Sequence, residues 1–348
     1  MNILVIGQGL AATVLSHYLN KHSIEHKVID KGHEGSSSLA AAGLINPITG
    51  RSYVKSWMIE DLLKEAKRCY AELSELLGKE LVSETVILRS LRNAAQFNKW
   101  NDSTSREGYA DFVDDALNVF DYDTILKEVP RFGVIQQAHQ IDIAPLIQLY
   151  QTQLKEKGDL ILESFDHDAL KREGDQFVYK GNRYDRLIFC EGYQAVNNRY
   201  FKGLPFQPAK GEALEIEIEN FESKQILRDD IFIVPLKNGK YWSGGSYIWE
   251  FEDDKATEEW RSMWEEKLQK LIKAGYKITS HKAGIRPSVK GRRPLIGEHK
   301  DHPGIYIFNG LGTKGSSLAP FWARHLVEDH LLNSMPLDEQ VDINRFEY

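Results

Sequence analysis

Three features predict an α/β fold in which a discontinuous parallel layer is interrupted by an inserted α+β unit built on an antiparallel sheet. The chain begins "NILVIGQGLAAT", a short β-branched apolar run followed by a glycine turn and a helix-forming stretch. Near the other end "GIYIFNGLGTKGSSLAPFWARHLV" repeats the same order of strand, turn and helix. Between them "ALEIEIENFE" sets Leu214, Ile216 and Ile218 against Glu215, Glu217 and Glu219, the period-two pattern of a half-exposed antiparallel strand. A continuous apolar run bounded by glycine suits a strand covered on both faces; the alternating run does not.

The remaining elements follow in chain order. Asn2 to Ile6 is the first buried strand, a helix follows from about Leu10 to Lys21, and "HKVID" is a second strand ending at Asp30. Leu62, Ala66, Tyr70, Leu73 and Leu77 recur at helical spacing within 57–77. Residues 80–140 carry mixed signals that set no order of elements. "IDIAPLIQLYQTQLKEKGD" reads as a helix stopped by Gly158, and "LILES" and "YDRLIFCEG" read as strands. "IFIVPLKNGKYWSGG" puts Asn238-Gly239 between two β-rich runs, a hairpin signal. Thr257 as N-cap, with Glu258 and Glu259 in the first turn, opens a helix expected to reach Gly275. No internal repeat or low-complexity linker interrupts the series.

Composition bounds the function. A chain of 348 residues, 42% hydrophobic and 27% charged, has the make-up of a globular protein of about two domains. A net charge of -7 argues against nucleic acid as a bulk partner. Cys69 and Cys190 lie far apart, which points to a reducing compartment and not to a disulfide scaffold. There is no basic leader and no apolar stretch near the ~20 residues that span a bilayer, so a cytoplasmic location without a membrane partner is expected. The histidines and cysteines show no metal-ligand spacing, and no metal site is expected.

The chemistry starts at the first turn. Gly7, Gly9 and Ala12 form G-x-G-x-x-A between strand and helix. Gly7 permits the turn, Gly9 lets backbone approach a pyrophosphate, and Ala12 lets helix and strand pack closely. The N–H groups around Leu10 and Ala11 open the helix toward the phosphates. Asp30 ends the second strand, where a carboxylate accepts from a ribose hydroxyl, and Lys31 follows it. This is a dinucleotide site, which by itself does not separate FAD from NAD. Downstream, "GSSSLAAAGLINP" supplies Ser37 and Ser38 hydroxyls for phosphate, and small residues up to Gly43 that allow a flat ring to approach.

Taken together, "VIGQGLAAT" with Asp30, "SSLAAAGLINP", "YDRLIFCEGYQA", "KGEAL", "GIRPSVKGRRPLIG" and "FNGLGTKGSSLAP" resemble the D-amino-acid oxidase superfamily of FAD enzymes, in particular its glycine oxidase and sarcosine oxidase group. The motifs stand in family order from residue 3 to residue 320. The resemblance implies a Rossmann-like FAD-binding domain from segments 1–80, 141–205 and 281–348, and a substrate domain from 81–140 and 206–280. It implies FAD held by Gly7, Gly9, Leu10, Ala11, Ala12, Asp30, Lys31, Ser37, Ser38, Ala41, Ala42, Gly43, Leu44, Asn46 and Gly192, and at the far end by Arg286, Gly310, Gly312, Thr313, Lys314, Gly315 and Ser316. No cysteine stands where sarcosine oxidases tether flavin, so the FAD is expected to be non-covalent.

The family reaction oxidises the C–N bond of a small amino acid or N-alkyl amino acid by hydride transfer to flavin N5, with molecular oxygen or another electron acceptor completing the cycle. Arg286 in "GIRP" matches the arginine that binds the substrate carboxylate, and its planar fork suits that task. Lys314 matches a second cationic position, Tyr247 a substrate-contacting tyrosine, and Arg51 a residue near the flavin face. The sequence departs from the family pattern at Gly291 and Arg292. Residues 282–293 hold Lys282, Arg286, Lys290, Arg292 and Arg293 without an acid, either to select a substrate with extra negative charge or as solvated surface.

Other readings stay open. "AAGLINPITGR" also resembles the oxidase domain that acts on a carboxymethylaminomethyl-modified tRNA uridine, against which the acidic net charge counts. A flavin dehydrogenase fits equally well. An NAD enzyme leaves the C-terminal glycine turn unexplained.

Overall fold

The computed structural model describes residues 1–32, 36–114 and 122–348; the part of the weakly patterned 80–140 region that falls in 115–121 lies outside them. Two sheets organise the chain. The first holds six strands in the spatial order Leu295–Glu298, Ile305–Asn309, Arg186–Phe189, Asn2–Ile6, Glu25–Ile29 and Leu160–Ile161. Its five latter strands are parallel, and Leu295–Glu298 is added antiparallel at the edge. The apolar runs expected here are buried on both faces: Ile3, Leu4, Val5, Ile188, Phe189 and Ile307 are all inaccessible. On one face pack the helices Leu10–Lys21, Ile59–Leu77 and Gly315–Arg324, through Leu15, Tyr18, Cys69, Tyr70 and Trp322. On the other face lies a three-stranded antiparallel sheet of Leu170–Glu173, Gln176–Tyr179 and Asn182–Tyr184, packed through Phe177 and Tyr184.

The second sheet has eight strands in the order Tyr276–Arg286, Ala209–Ile218, Tyr241–Gly244, Phe232–Pro235, Ile226–Arg228, Val82–Leu91, Arg131–Ile141 and Leu44–Ile45. All pairings are antiparallel except that of Ile226–Arg228 with Val82–Leu91. The alternation read at 214–219 is realised, with Leu214 and Ile216 buried while Glu217 and Glu219 are exposed. The helix Glu258–Leu271 covers this outer face through Trp260, Trp264 and Leu268.

Three local expectations change. The helix opened at Thr257 stops at Leu271, short of Gly275, because Ile272 is extended and bridges Leu126. Thr257 occupies the N-cap position but does not cap with its side chain; its hydroxyl donates to Glu212 Oε1 at 2.9 Å. In the hairpin, only Gly239 of the Asn-Gly pair takes positive φ, and Leu236 N–H donates to Lys240 C=O at 2.8 Å, so the loop is longer than a two-residue turn. Within 80–140, two long strands flank a helix, Ala94–Thr104, whose N-cap Asn93 accepts from Gln96 N–H at 2.9 Å. Leu295–Glu298 is a further strand beyond those read from the sequence.

The segment after the strand Glu25–Ile29 is tied to the second sheet beside the cavity. Ser36 bridges Ile285 of the last second-sheet strand, and a Cβ on Gly284 would fall 2.7 Å from Ser37 Cα.

Candidate active site

A cavity of about 1550 Å³ runs from the C-terminal ends of the parallel strands to the inner face of the eight-stranded sheet. Apart from Ala12, every residue proposed from sequence to hold FAD or substrate lines it, and of the basic stretch Arg286, Arg292 and Arg293 do, whereas exposed Lys282, paired with Glu215, and exposed Lys290 do not. Ala12 lies on the buried face of the first helix and acts by packing, not by contact.

At the strand end, Gly7 adopts φ +101°, and a Cβ there would sit 2.5 Å from Cys190 C=O. The turn therefore closes against the neighbouring parallel strand only with glycine. Gly9 differs: the protein atom nearest an added Cβ is Ser38 Oγ at 3.4 Å, and its bare face opens onto the cavity. The first helical bond runs from Thr13 N–H to Gly9 C=O, leaving the N–H groups before it for other acceptors. Leu10 N–H takes Ser38 Oγ at 3.2 Å. Asp30 accepts from Gln8 N–H at 2.7 Å and Gly32 N–H at 2.6 Å, which braces the first glycine turn against the loop after the second strand. Beside it Glu191 lines the cavity; burial pushes its carboxyl up to about 7, against the opposing donation from Asn198 Nδ2 at 2.7 Å. Asn309 Nδ2 donates to Gly192 C=O at 2.9 Å, joining the C-terminal glycine turn to the turn after the neighbouring strand Arg186–Phe189.

At the far end, the helix Gly315–Arg324 presents its N-terminus to the cavity with Lys314 at its N-cap. The Lys314 ammonium donates to Ser56 Oγ at 3.2 Å and has no acidic partner among the described residues. Burial, then Arg292 and Arg293, hold its pKa below the usual lysine range. The Arg293 guanidinium lies 4.0 Å over the Trp57 ring, which stacks on Trp322 at 5.6 Å. Gly312 leaves open space, with Ser288 no nearer than 3.9 Å to an added Cβ. Gly310 instead packs on protein: a Cβ there would meet Val289 at 2.8 Å and Leu295 N at 2.9 Å.

Over this end lies the inner face of the second sheet. Arg286 closes the Tyr276–Arg286 strand, with Nη1 donating to Ser246 C=O at 2.8 Å and its guanidinium 4.9 Å over the Tyr247 ring. Its head occupies a slot left by Gly211, where a Cβ would fall 2.1 Å from Nη2. Among the described residues Arg286 has no carboxylate partner, and burial lowers its pKa. Tyr247 and Trp249, 52% and 58% exposed, stack at the mouth with centroids 6.0 Å apart. Arg51 sits exposed on the rim. The sequence reading missed Glu191, Arg89 and Arg228, all of which line the cavity. A Cys-Glu-Gly step at the end of an apolar strand is the signal that could have found Glu191.

The residues fit FAD. A braced glycine turn and open helix start suit a pyrophosphate, and the Gly9 and Gly312 surfaces offer space for a ligand lying along the cavity. A second helix start with Lys314 supplies positive charge at the opposite end.

Comparison with known proteins agrees. The model of the FAD dependent oxidoreductase (DAO) family matches residues 2–329. Glycine oxidase of Bacillus subtilis (strain 168) is 23% identical over 353 residues, covering 94% of this chain and 92% of the relative. Among solved structures, glycine oxidase from Geobacillus kaustophilus superposes with TM-score 0.81 at 17% identity, over 99% of both chains. Iminodiacetate oxidase from Chelativorans sp. BNC1 superposes with TM-score 0.76 at 16% identity, over 97% of this chain and 98% of that one. With its family model matched nearly end to end and its cavity built for an elongated dinucleotide, the chain belongs to the D-amino-acid oxidase (DAO) family of FAD-dependent oxidoreductases.

Proposed function

We propose that this enzyme oxidises the C–N bond of a small amino acid or N-alkyl amino acid whose carboxylate is held by Arg286. The observation that carries this reading is the half-buried Arg286 guanidinium, seated in the Gly211 slot over the cavity without an acid of its own among the described residues. A buried cation with unused donors is stabilised by a carboxylate that takes its fork bidentately. Glycine oxidase and iminodiacetate oxidase, named for amino-carboxylate substrates, share the fold.

FAD, when bound, supplies the two-electron acceptor. The protein's part is binding and orientation. Arg286 fixes the carboxylate, Ser246 C=O and the Tyr247 ring fix Arg286, and Tyr247 with Trp249 shields the mouth from water. Lys314 and the helix N-terminus place positive charge at the far end of the cavity, where it favours anionic groups. The FAD is held without a covalent bond: Cys69 is buried in the helical core, and Cys190 sits with its carbonyl against Gly7 at the pyrophosphate end. Acid precipitation should therefore release all the yellow colour into the supernatant.

The direct test is anaerobic mixing of the purified holoenzyme with glycine, sarcosine, D-alanine and iminodiacetate, followed by readmission of air. Bleaching by one of these amines with peroxide formed in air establishes the oxidase. Bleaching without peroxide makes it a dehydrogenase. A flavin bleached by dithionite but by none of the amines overturns the substrate class.

A further inference from the structure

Leu88 and Leu227 face the core under Trp260 and Trp264, so strand alternation turns Arg89 and Arg228 to the opposite, cavity-lining face. The parallel register of Ile226–Arg228 with Val82–Leu91 sets Arg228 directly opposite Arg89. Like charges placed opposite one another on one sheet face destabilise it. Arg89 Nε is buried with no hydrogen-bond partner, and its guanidinium lies 5.7 Å from the Tyr53 ring centroid. Arg228 Nη1 donates to Asp229 C=O at 2.7 Å, and its head lies 4.3 Å over Phe232. Burial, then the neighbouring Arg89, lowers the Arg228 pKa to about 10.

Among the described residues, Asp230 and Asp229 offset the Arg228 charge less than burial and Arg89 oppose it. Arg92 Nη2 takes Asp229 Oδ2 at 2.9 Å, and Asp229 Oδ1 accepts from Asp230 N–H at 2.8 Å. Asp230 is exposed at the rim. Tyr247 links this pair to Arg286: its ring lies under the Arg286 guanidinium, and its phenol is close enough to act electrostatically on Arg228.

We propose that Arg89 and Arg228 form a second anion subsite beside Arg286, so that the substrate is an amine carrying two carboxylates, one on Arg286 and the other on the Arg89–Arg228 pair. The proposal rests on the amine-oxidising reading above for the role of Arg286. A second carboxylate supplies acceptors to the unpartnered Arg89 donor and offsets the cross-strand repulsion.

The test is read from binding and needs no turnover. The holoenzyme is titrated with succinate, glutarate and butyrate at fixed ionic strength, following heat and the perturbation of the flavin spectrum. A dicarboxylate should bind at least tenfold tighter than butyrate. Arg89→Gln and Arg228→Gln should each remove that preference while shifting butyrate affinity by less than about twofold, and Arg286→Gln should weaken both ligand classes. Equal affinity of the wild-type enzyme for dicarboxylates and butyrate overturns the subsite, as does an Arg89→Gln protein that keeps the preference. If either variant fails to fold, the wild-type comparison alone decides. Failure of every amine to bleach the flavin would sink the catalytic reading, whereas absence of the dicarboxylate preference from the wild-type enzyme would sink only the subsite.

Discussion

At the scale of single residues, the site depends on charges that the protein buries without partners of its own. Replacing Arg286 by Ala should weaken carboxylate substrates by about 2–5 kcal/mol, the range for truncating one side of a desolvated ion pair. Steady-state KM values across the amine panel check this, and an unchanged KM removes Arg286 from the site. Glu191 gives a pH signature. Its folded pKa of about 7 lies above the ordinary 4.5, so between those values the folded protein keeps a proton that the unfolded chain has released. Stability should therefore fall as pH rises through that window and remain lower above it. Glu191→Gln should flatten this fall, seen as a smaller loss of apoprotein Tm between about pH 5 and about pH 8 than in wild type. The place of Arg286 on the cavity was legible because it stands in the compact motif Gly284-Ile285-Arg286-Pro287. Arg89 and Arg228 were not: one is a lone arginine in the long strand Val82–Leu91 and the other ends the short strand Ile226–Arg228, and only the sheet register brings them together.

At the scale of elements, glycines decide whether neighbouring strands and helices can approach. The three atoms nearest a Cβ on Gly211 all belong to the Arg286 guanidinium, so Gly211→Ala should force that head from its slot and raise KM by tenfold or more while Tm moves little. A large fall in Tm with unchanged KM would show the slot to be structural only. Gly7→Ala meets both positive φ and the Cys190 carbonyl, strain worth about 1–3 kcal/mol at a turn. Reduced FAD content in the purified protein, read from the ratio of flavin to protein absorbance, is the expected result. Most elements were legible because hydrophobic periodicity encodes them directly: Leu10–Lys21 and Ala209–Ile218 depend on their own pattern. Residues 82–141 were not, since each long strand there buries apolar residues on both faces, Ile87 and Ile135 in one core and Leu88 and Val134 in another, and the register breaks between Thr85 and Ile87, which blurs any single period. The end of Glu258–Leu271 was set by a bridge to Leu126, a long-range contact that local capping signals do not carry.

At the scale of the whole molecule, the dinucleotide cavity joins the two sheets, so occupancy should stabilise the entire chain and not one half. A ligand at ~1000 times its Kd adds about 4 kcal/mol to the folded state. Stripping FAD should accordingly lower Tm by roughly 5–10 °C in a single transition. Two separated transitions in the apoprotein would mean that the sheets melt independently.

The order of strands also sets a timetable for synthesis. Ile305–Asn309 lies between Arg186–Phe189 and Leu295–Glu298, and Leu44–Ile45 shares its sheet with Tyr276–Arg286. Neither sheet can be completed until most of the polypeptide has left the ribosome, and the long-range pairing makes closure slow. The nascent chain must carry its first glycine turn exposed until the last one arrives. A cofactor gripped at both turns can then be held only after the strand Ile305–Asn309 and the helix Gly315–Arg324 have emerged.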